Sequence, residues 1–225
     1  DETIAGGHLH VYTSYASLRD TAIKRDATTD FGAVTVHSGA TVLMPGASSL
    51  TTANLTVQTS GRITADGQGY GGNWAGDGSG LGRGFASGGG GSGAGYGGFG
   101  GGSQGVGGGS PYGSAAQPTD LGSSGGSYSG GGAGGSGGGA IRLIVSDQLT
   151  LDGQITAHGG GGYNHSGGGS GGSIWVTTGT LSGSGTFAAN GGAGTGIGGS
   201  GAGGRVAVYY AAAVTFGGFV GSTAS

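Results

Sequence analysis

Three polar residues of types that can bind metal ions occupy the same position in three copies of one short motif. The copies are residues 61–67 (GRITADG), 153–159 (GQITAHG) and 185–191 (GTFAANG), and the polar residues are Asp66, His158 and Asn190. A carboxylate, an imidazole and an amide stacked on one another could bind a cation. The same residue types are also favoured where the backbone turns with a positive φ. The motif therefore leaves two interpretations open, a weak metal site and a set of turns.

Other residues with chemical potential are scattered. His8 and His10 are two positions apart in an alternating segment, so they lie on one face of an expected strand, either as two metal ligands or as part of an exposed polar face. Outside residues 1–30 the acids are Asp66, Asp77, Asp120, Asp147 and Asp152. They fall at different positions of the repeated pattern, whereas catalysis on a β-sheet face needs clustered acids or bases. We therefore expect no enzymatic activity and no cofactor.

Two sequence features point to carbohydrate. Asn54 and Asn164 begin the triplets NLT and NHS, which are acceptor sequences for N-glycosylation. Aromatic residues are spaced through a long glycine-rich stretch, at Tyr70, Trp74, Phe85, Tyr96, Phe99, Tyr112 and Tyr128. These rings are expected either to fill gaps between glycine segments or to stack on sugars.

The elements that must position these residues are strands separated by glycine. Glycine supplies 67 of the 225 residues, and with only three prolines and no Gly-X-Y period the chain is not collagen. Each motif copy runs into glycine, and each glycine run ends in an alternating apolar segment. Self-similarity at a fixed spacing is typical of solenoids. We therefore predict an all-β fold with little or no α-helix: a parallel β-helix or solenoid whose glycine-rich excursions form polyglycine II helices.

The pattern divides the chain into four parts. Residues 1–30 are predicted to be an N-terminal cap or assembly arm, and residues 31–68 the first solenoid coils. Residues 69–139 are the long glycine-rich insertion, and residues 140–225 are solenoid repeats with short glycine excursions.

Charge and composition exclude several partners. Charged residues make up 8% of the chain and the net charge is -3, so there is no basic surface for nucleic acid or an anionic membrane. No run of about 18 apolar residues is present, so no membrane span is expected. The chain has no cysteine. Low charge, absence of cysteine and a Gly/Ser/Thr-rich repeat are typical of secreted structural proteins, and we expect an extracellular or cell-surface location.

The units GSGGSIWV (169–176) and GAGGRVAVYY (201–210) carry a resemblance. They resemble the glycine-rich repeats of very large secreted or surface proteins, including adhesin-like β-helix proteins, over residues 31–210. The glycine excursions are also similar in composition to snow-flea antifreeze proteins and glycine-rich phage tail-tip adhesins. The resemblance implies a structural or adhesive role outside the cell and no catalytic residues.

The expected function is structural. The last apolar segment stops mid-unit, so an assembly edge is predicted at Val214, Phe216 and Phe219, where another copy could continue the sheet. The chain is expected to form a homo-oligomer or filament in an extracellular fibre or matrix. The alternative is an adhesin that presents the aromatic residues to glycans or cells, and a third possibility is ice binding.

Overall fold

The computed structural model describes residues 2–5, 8–11, 16–17, 30–221 and 223. The described residues form β-strands and no helix, so none of them belongs to a helix that could cross a membrane. The strands are β1 (Glu2–Ala5), β2 (His8–Val11), β3 (Ala16–Ser17), β4 (Asp30–Val36), β5 (Thr41–Leu43), β6 (Ala47–Val57), β7 (Arg62–Thr64), β8 (Ala140–Leu151), β9 (Gln154–Thr156), β10 (Ser173–Gly183), β11 (Thr186–Ala188), β12 (Arg205–Phe216) and β13 (Phe219–Gly221).

The strands form two sheets, and consecutive strands from β2 onward alternate between them. The seven-stranded sheet has the order β1-β2-β4-β6-β8-β10-β12. The six-stranded sheet has the order β13-β11-β9-β7-β5-β3. All pairs are parallel except β1 with β2, which are antiparallel.

Equivalent apolar residues of the motif copies pair in register and form the core. Ile63, Ile155 and Phe187 are direct partners across β7, β9 and β11, and all three are fully buried. Ile141 and Ile174 pair in the same way between β8 and β10. One apolar cluster contains the inward residues of both sheets. Alternation of apolar and polar residues at period two thus places one face of each strand from β4 to β12 in a common core.

The segments that leave the sheets form a third region, which we call the glycine network: residues 65–139, 157–172 and 189–204. Only isolated bridges interrupt its irregular backbone. Its N–H groups donate to segments far away in sequence. The N–H of Gly167 donates to the carbonyl of Gly126 at 2.9 Å. The N–H of Gly168 donates to Gly199 and that of Gly169 donates to Gly160, at the same distance. Three successive residues therefore bind three different neighbouring segments.

This crossed hydrogen bonding requires backbones to approach more closely than any side chain permits. A Cβ on Gly172 would overlap the carbonyl oxygen of Gly139, and one on Gly108 would overlap that of Gly100. Both oxygens belong to backbone, which cannot turn away as a flexible side chain could. Glycine is needed at these two positions because of space rather than because of an unusual φ angle.

The structure corrects the predicted fold class. The prediction of a parallel β-helix or solenoid with polyglycine II helices is wrong, because the chain has two parallel sheets, one of them bordered by the antiparallel strand β1, and a glycine network with no helix. The motif copies specify which apolar residues pair. They do not specify the path between strands, because glycine has no side chain that would prescribe one conformation.

The glycine network gives the first testable prediction. Gly172→Ala should lower the free energy of unfolding by about 1–3 kcal/mol or more, because the methyl group forces apart two hydrogen-bonded segments. Urea denaturation followed by circular dichroism measures this change.

The matched control is Gly98→Ala, since a Cβ at Gly98 has no heavy atom within 4 Å and the residue does not have a positive φ. This variant should match the wild type or be slightly more stable, because alanine has less freedom in the unfolded chain. Equal losses for Gly98→Ala and Gly172→Ala would show that close approach is not the constraint.

Candidate functional site

Asp66, His158 and Asn190 do lie in one column, directly after β7, β9 and β11. Each side chain accepts a hydrogen bond from the backbone N–H of the next member. The N–H of His158 donates to Asp66 Oδ1 at 2.7 Å, and the N–H of Asn190 donates to His158 Nδ1 at 2.9 Å. Asn190 Oδ1 accepts from the N–H of Thr223 at 3.0 Å. The column is a ladder that links successive turns.

The ladder uses polar atoms that could otherwise bind a metal ion. His158 Nδ1 accepts the hydrogen bond from Asn190, while the second oxygen of Asp66 accepts from the hydroxyl of Thr156 at 3.1 Å. Within the described ranges no group of three His, Cys, Asp or Glu residues is placed to hold a metal ion. The positive φ angle at the first turn belongs to Gly67 and not to a ladder residue. The arrangement supports a structural role for these side chains.

The remaining predicted site residues lie in different parts of the structure. His8 and His10 lie in β2, paired with β1 and β4. Asn54 is half-buried within β6, whereas Asn164 is exposed on the glycine network with a φ of 43°. The side-chain amide of Asn164 donates to the carbonyl of Gly131 at 3.4 Å. Of the two glycosylation sequences, the one at Asn164 is therefore the accessible one.

The predicted assembly edge lies on β12 and β13, which are edge strands of the two sheets. Val214 and Phe216 belong to β12, and Phe219 begins β13. The ring of Phe216 packs against Phe187, with centroids 5.9 Å apart, so it extends the core. The exposed part of the edge lies earlier in β12, at Tyr209, Tyr210, Ala211 and Ala212.

The backbone groups that point outward from this edge can be assigned. The N–H of Arg205 donates to Gly172, towards β10. In a parallel strand, the backbone N–H and C=O groups of every second residue point to the same side. The N–H and C=O groups of Val206, Val208 and Tyr210 therefore face away from β10, on the side where the seven-stranded sheet ends.

The aromatic residues of the glycine network divide into buried and exposed groups. Tyr96 is fully buried, and its hydroxyl lies 2.6 Å from Ser173 Oγ at the start of β10. Its ring lies 4.5 Å from that of Tyr112 and 5.4 Å from the Arg205 guanidinium. By contrast, Trp74, Phe99 and Tyr163 are all more than 60% exposed, at 69%, 71% and 63%. Sequence spacing gives no signal that separates the two groups.

Comparisons with known proteins identify no relative: no family model, no curated protein and no solved structure matches the chain.

The turn ladder gives a prediction about stability and metals. Asp66→Ala should lower the free energy of unfolding by about 1–3 kcal/mol, because the N–H of His158 loses its acceptor and the hydroxyl of Thr156 keeps only Thr64 Oγ1. Asp66→Asn keeps an acceptor oxygen and should retain most of the stability. Urea unfolding with and without EDTA checks both points. A wild-type stability that falls with EDTA and is restored by Ca²⁺ or Zn²⁺ would contradict the hydrogen-bond account.

The buried Tyr96 and the partly buried Tyr112 predict sensitivity to alkali. Burial raises the pKa of Tyr96 and of Tyr112 above the ordinary value of 10.0. Above about pH 10 the unfolded chain loses these protons while the folded chain keeps them, so the free energy of unfolding should fall as pH rises. The stabilisation is present in full below that pH.

Urea unfolding between pH 8 and pH 11 measures this dependence. Tyr112→Phe removes the hydroxyl of one partly buried tyrosine and should reduce the alkaline slope. Tyr163→Phe removes an exposed phenol and should leave the slope as it is in the wild type. If Tyr112→Phe keeps the wild-type slope, the Tyr112 phenol does not cause the alkaline loss.

Proposed function

We propose that this protein is a secreted structural protein that self-associates into an extracellular fibre or matrix through the open edge of β12. One observation carries the proposal: β12 is a twelve-residue edge strand with no charged residue after Arg205. Edge strands of soluble monomers are usually short, charged, bulged or covered, because an exposed apolar edge pairs with other chains. In β12 the pairing with β10 is irregular only near the end of the strand, where the register shifts between Leu181 and Ser182.

The core is also incomplete along this edge, which favours burial by another copy. Ile174 and Val176 of β10 are fully buried, whereas their register partners Val206 and Val208 of β12 are only partly buried. A strand added beside β12 would cover both valines and pair their outward N–H and C=O groups. Strand addition thus combines backbone hydrogen bonds with apolar burial.

The topology favours a filament over a closed dimer. The seven-stranded sheet ends in β12 on one side and in β1 on the other, and these two edges differ in sequence and in strand direction. Pairing of β12 with β1 of the next copy is a head-to-tail contact, which repeats without closing unless the rotation between copies makes a ring. The proposed partner is therefore a second copy of the same chain, added in one direction.

Electron microscopy and light scattering at micromolar concentration test the proposal. The wild type should form regular filaments. Tyr210→Lys places a charge on the open edge and should leave monomers. Tyr210→Pro removes an N–H that faces away from β10, so it should block strand addition without breaking a hydrogen bond inside the sheet.

Ser146→Lys is the matched control, because Ser146 is an exposed residue of β8 in the interior of the same sheet. It adds the same charge away from the edge and should form filaments like the wild type. A monomeric wild type overturns the proposal. So do filaments of unchanged number and length in both Tyr210 variants.

A further inference from the structure

Two exposed aromatic rings from separate parts of the glycine network stand next to each other. Trp74 and Tyr163 are 69% and 63% exposed, and their ring centroids are 6.1 Å apart. The ring planes meet at 59°, so together they line an open V-shaped notch. Burying these rings would remove a large apolar area from water, yet the fold leaves both rings exposed to solvent.

The notch is held by the backbone rather than by a flexible loop. The N–H of Tyr163 donates to the carbonyl of Ala133 at 2.8 Å. The N–H of the following residue in that segment, Gly134, donates to the carbonyl of Asn73 at 3.1 Å. Both aromatic residues are therefore fixed to the same short piece of chain, so little conformational freedom is lost when a ligand binds between them.

Polar groups border the two rings. Among the described residues, neither the indole N–H of Trp74 nor the hydroxyl of Tyr163 has a hydrogen-bond partner. The side chains of Asn73 and Asn164, next to each ring in sequence, are exposed. Their amides donate to backbone carbonyls at 2.9 and 3.4 Å, which orients their side-chain oxygens. The notch thus offers apolar faces with hydrogen-bonding groups at the rim.

This chemistry fits a sugar better than it fits a protein surface. The residues directly before and after each ring are Asn73 and Ala75 for Trp74 and Gly162 and Asn164 for Tyr163. None of them adds a large apolar side chain, whereas the centre of a protein interface needs a wide apolar patch. The nearby charges Asp77 and Arg83 pair with each other at 3.7 Å. A pyranose has a face of C–H groups bordered by hydroxyls, and it needs no charge for recognition.

We propose that the notch between Trp74 and Tyr163 is a binding site for neutral, β-linked hexopyranose glycans of the gluco type, because their equatorial substituents leave C–H groups on the faces of the ring. One sugar ring stacks with its C–H face on the indole and lies with its edge against the phenol. Its hydroxyls bond to the asparagine oxygens and to the free indole N–H and phenol O–H. The site involves neither β12 nor β13, so it does not depend on self-association.

Tryptophan fluorescence tests the site directly, because the chain has only two tryptophans. Trp175 lies on the seven-stranded sheet with its ring 4.4 Å from the Arg142 guanidinium, and Trp175→Phe leaves Trp74 as the single reporter. This variant, produced in bacteria so that Asn164 is unmodified, is titrated with cellohexaose, chitohexaose and laminarihexaose. At least one hexasaccharide should shift the emission to shorter wavelength with saturation.

Isothermal titration calorimetry with the same hexasaccharides compares the other variants. Trp74→Ala and Tyr163→Ala should each weaken binding by about tenfold or more, as truncation of a central aromatic residue does. Phe99→Ala is the control, because Phe99 is 71% exposed but does not contribute to the notch. It should bind like the wild type.

Three results overturn the proposal: no saturable signal with any of the three hexasaccharides, unchanged affinity in Trp74→Ala, or an equal loss in Phe99→Ala. Circular dichroism spectra of all variants establish that they are folded. Repeating the titration on Tyr210→Lys separates this proposal from the previous one. Binding by that variant supports the notch whether or not the wild type forms filaments.

Discussion

Backbone-to-backbone contact between glycine segments is the constraint on which the rest of this structure depends. Fixing a glycine costs about 0.5–1 kcal/mol more than fixing an alanine, while one hydrogen bond contributes a net of about 0.5–1.5 kcal/mol. A single glycine run in water would therefore stay disordered. In the network, Gly93 donates to Gly101, accepts from Gly109 and lies against the segment of Ser200. Each segment becomes ordered because its neighbours are ordered too, and the sheets fix where all of them begin and end.

A region built from glycine has little side-chain surface, so its few large side chains decide its chemistry. A ring inside the network needs a polar partner for its hydroxyl, as Tyr96 has in Ser173, and this requirement joins the network to the sheets. A ring that cannot be accommodated inside the network remains exposed to solvent on backbone that hydrogen bonds hold in place, as Trp74 does. The same close packing thus explains both the buried Tyr96 and the exposed pair.

The sequence predicts well which strands pair, but it predicts poorly which path the chain takes between them. The common position of Ile63, Ile155 and Phe187 in three motif copies indicates adjacent strands, and the structure pairs them in register. The column of Asp66, His158 and Asn190 follows from the same equivalence. The solenoid and polyglycine II predictions were wrong because glycine runs carry no period that selects one path. The Trp74–Tyr163 contact could not be predicted either, since it is made through the backbone of Ala133 and Gly134, which no side-chain pattern marks.

The two proposed surfaces lie on different parts of the molecule, and this separation has a consequence for affinity. A notch formed by two rings contacts about one sugar, which by itself supports only weak binding. Head-to-tail addition at β12 would leave the glycine network free and would repeat the notch at a fixed spacing along a fibre. A polysaccharide long enough to reach several notches would then be held by many weak contacts, each favoured by the high local concentration that the previous one creates. On this argument the proposed assembly edge and the proposed notch would serve one function, in which a fibre would convert a weak sugar site into firm adhesion.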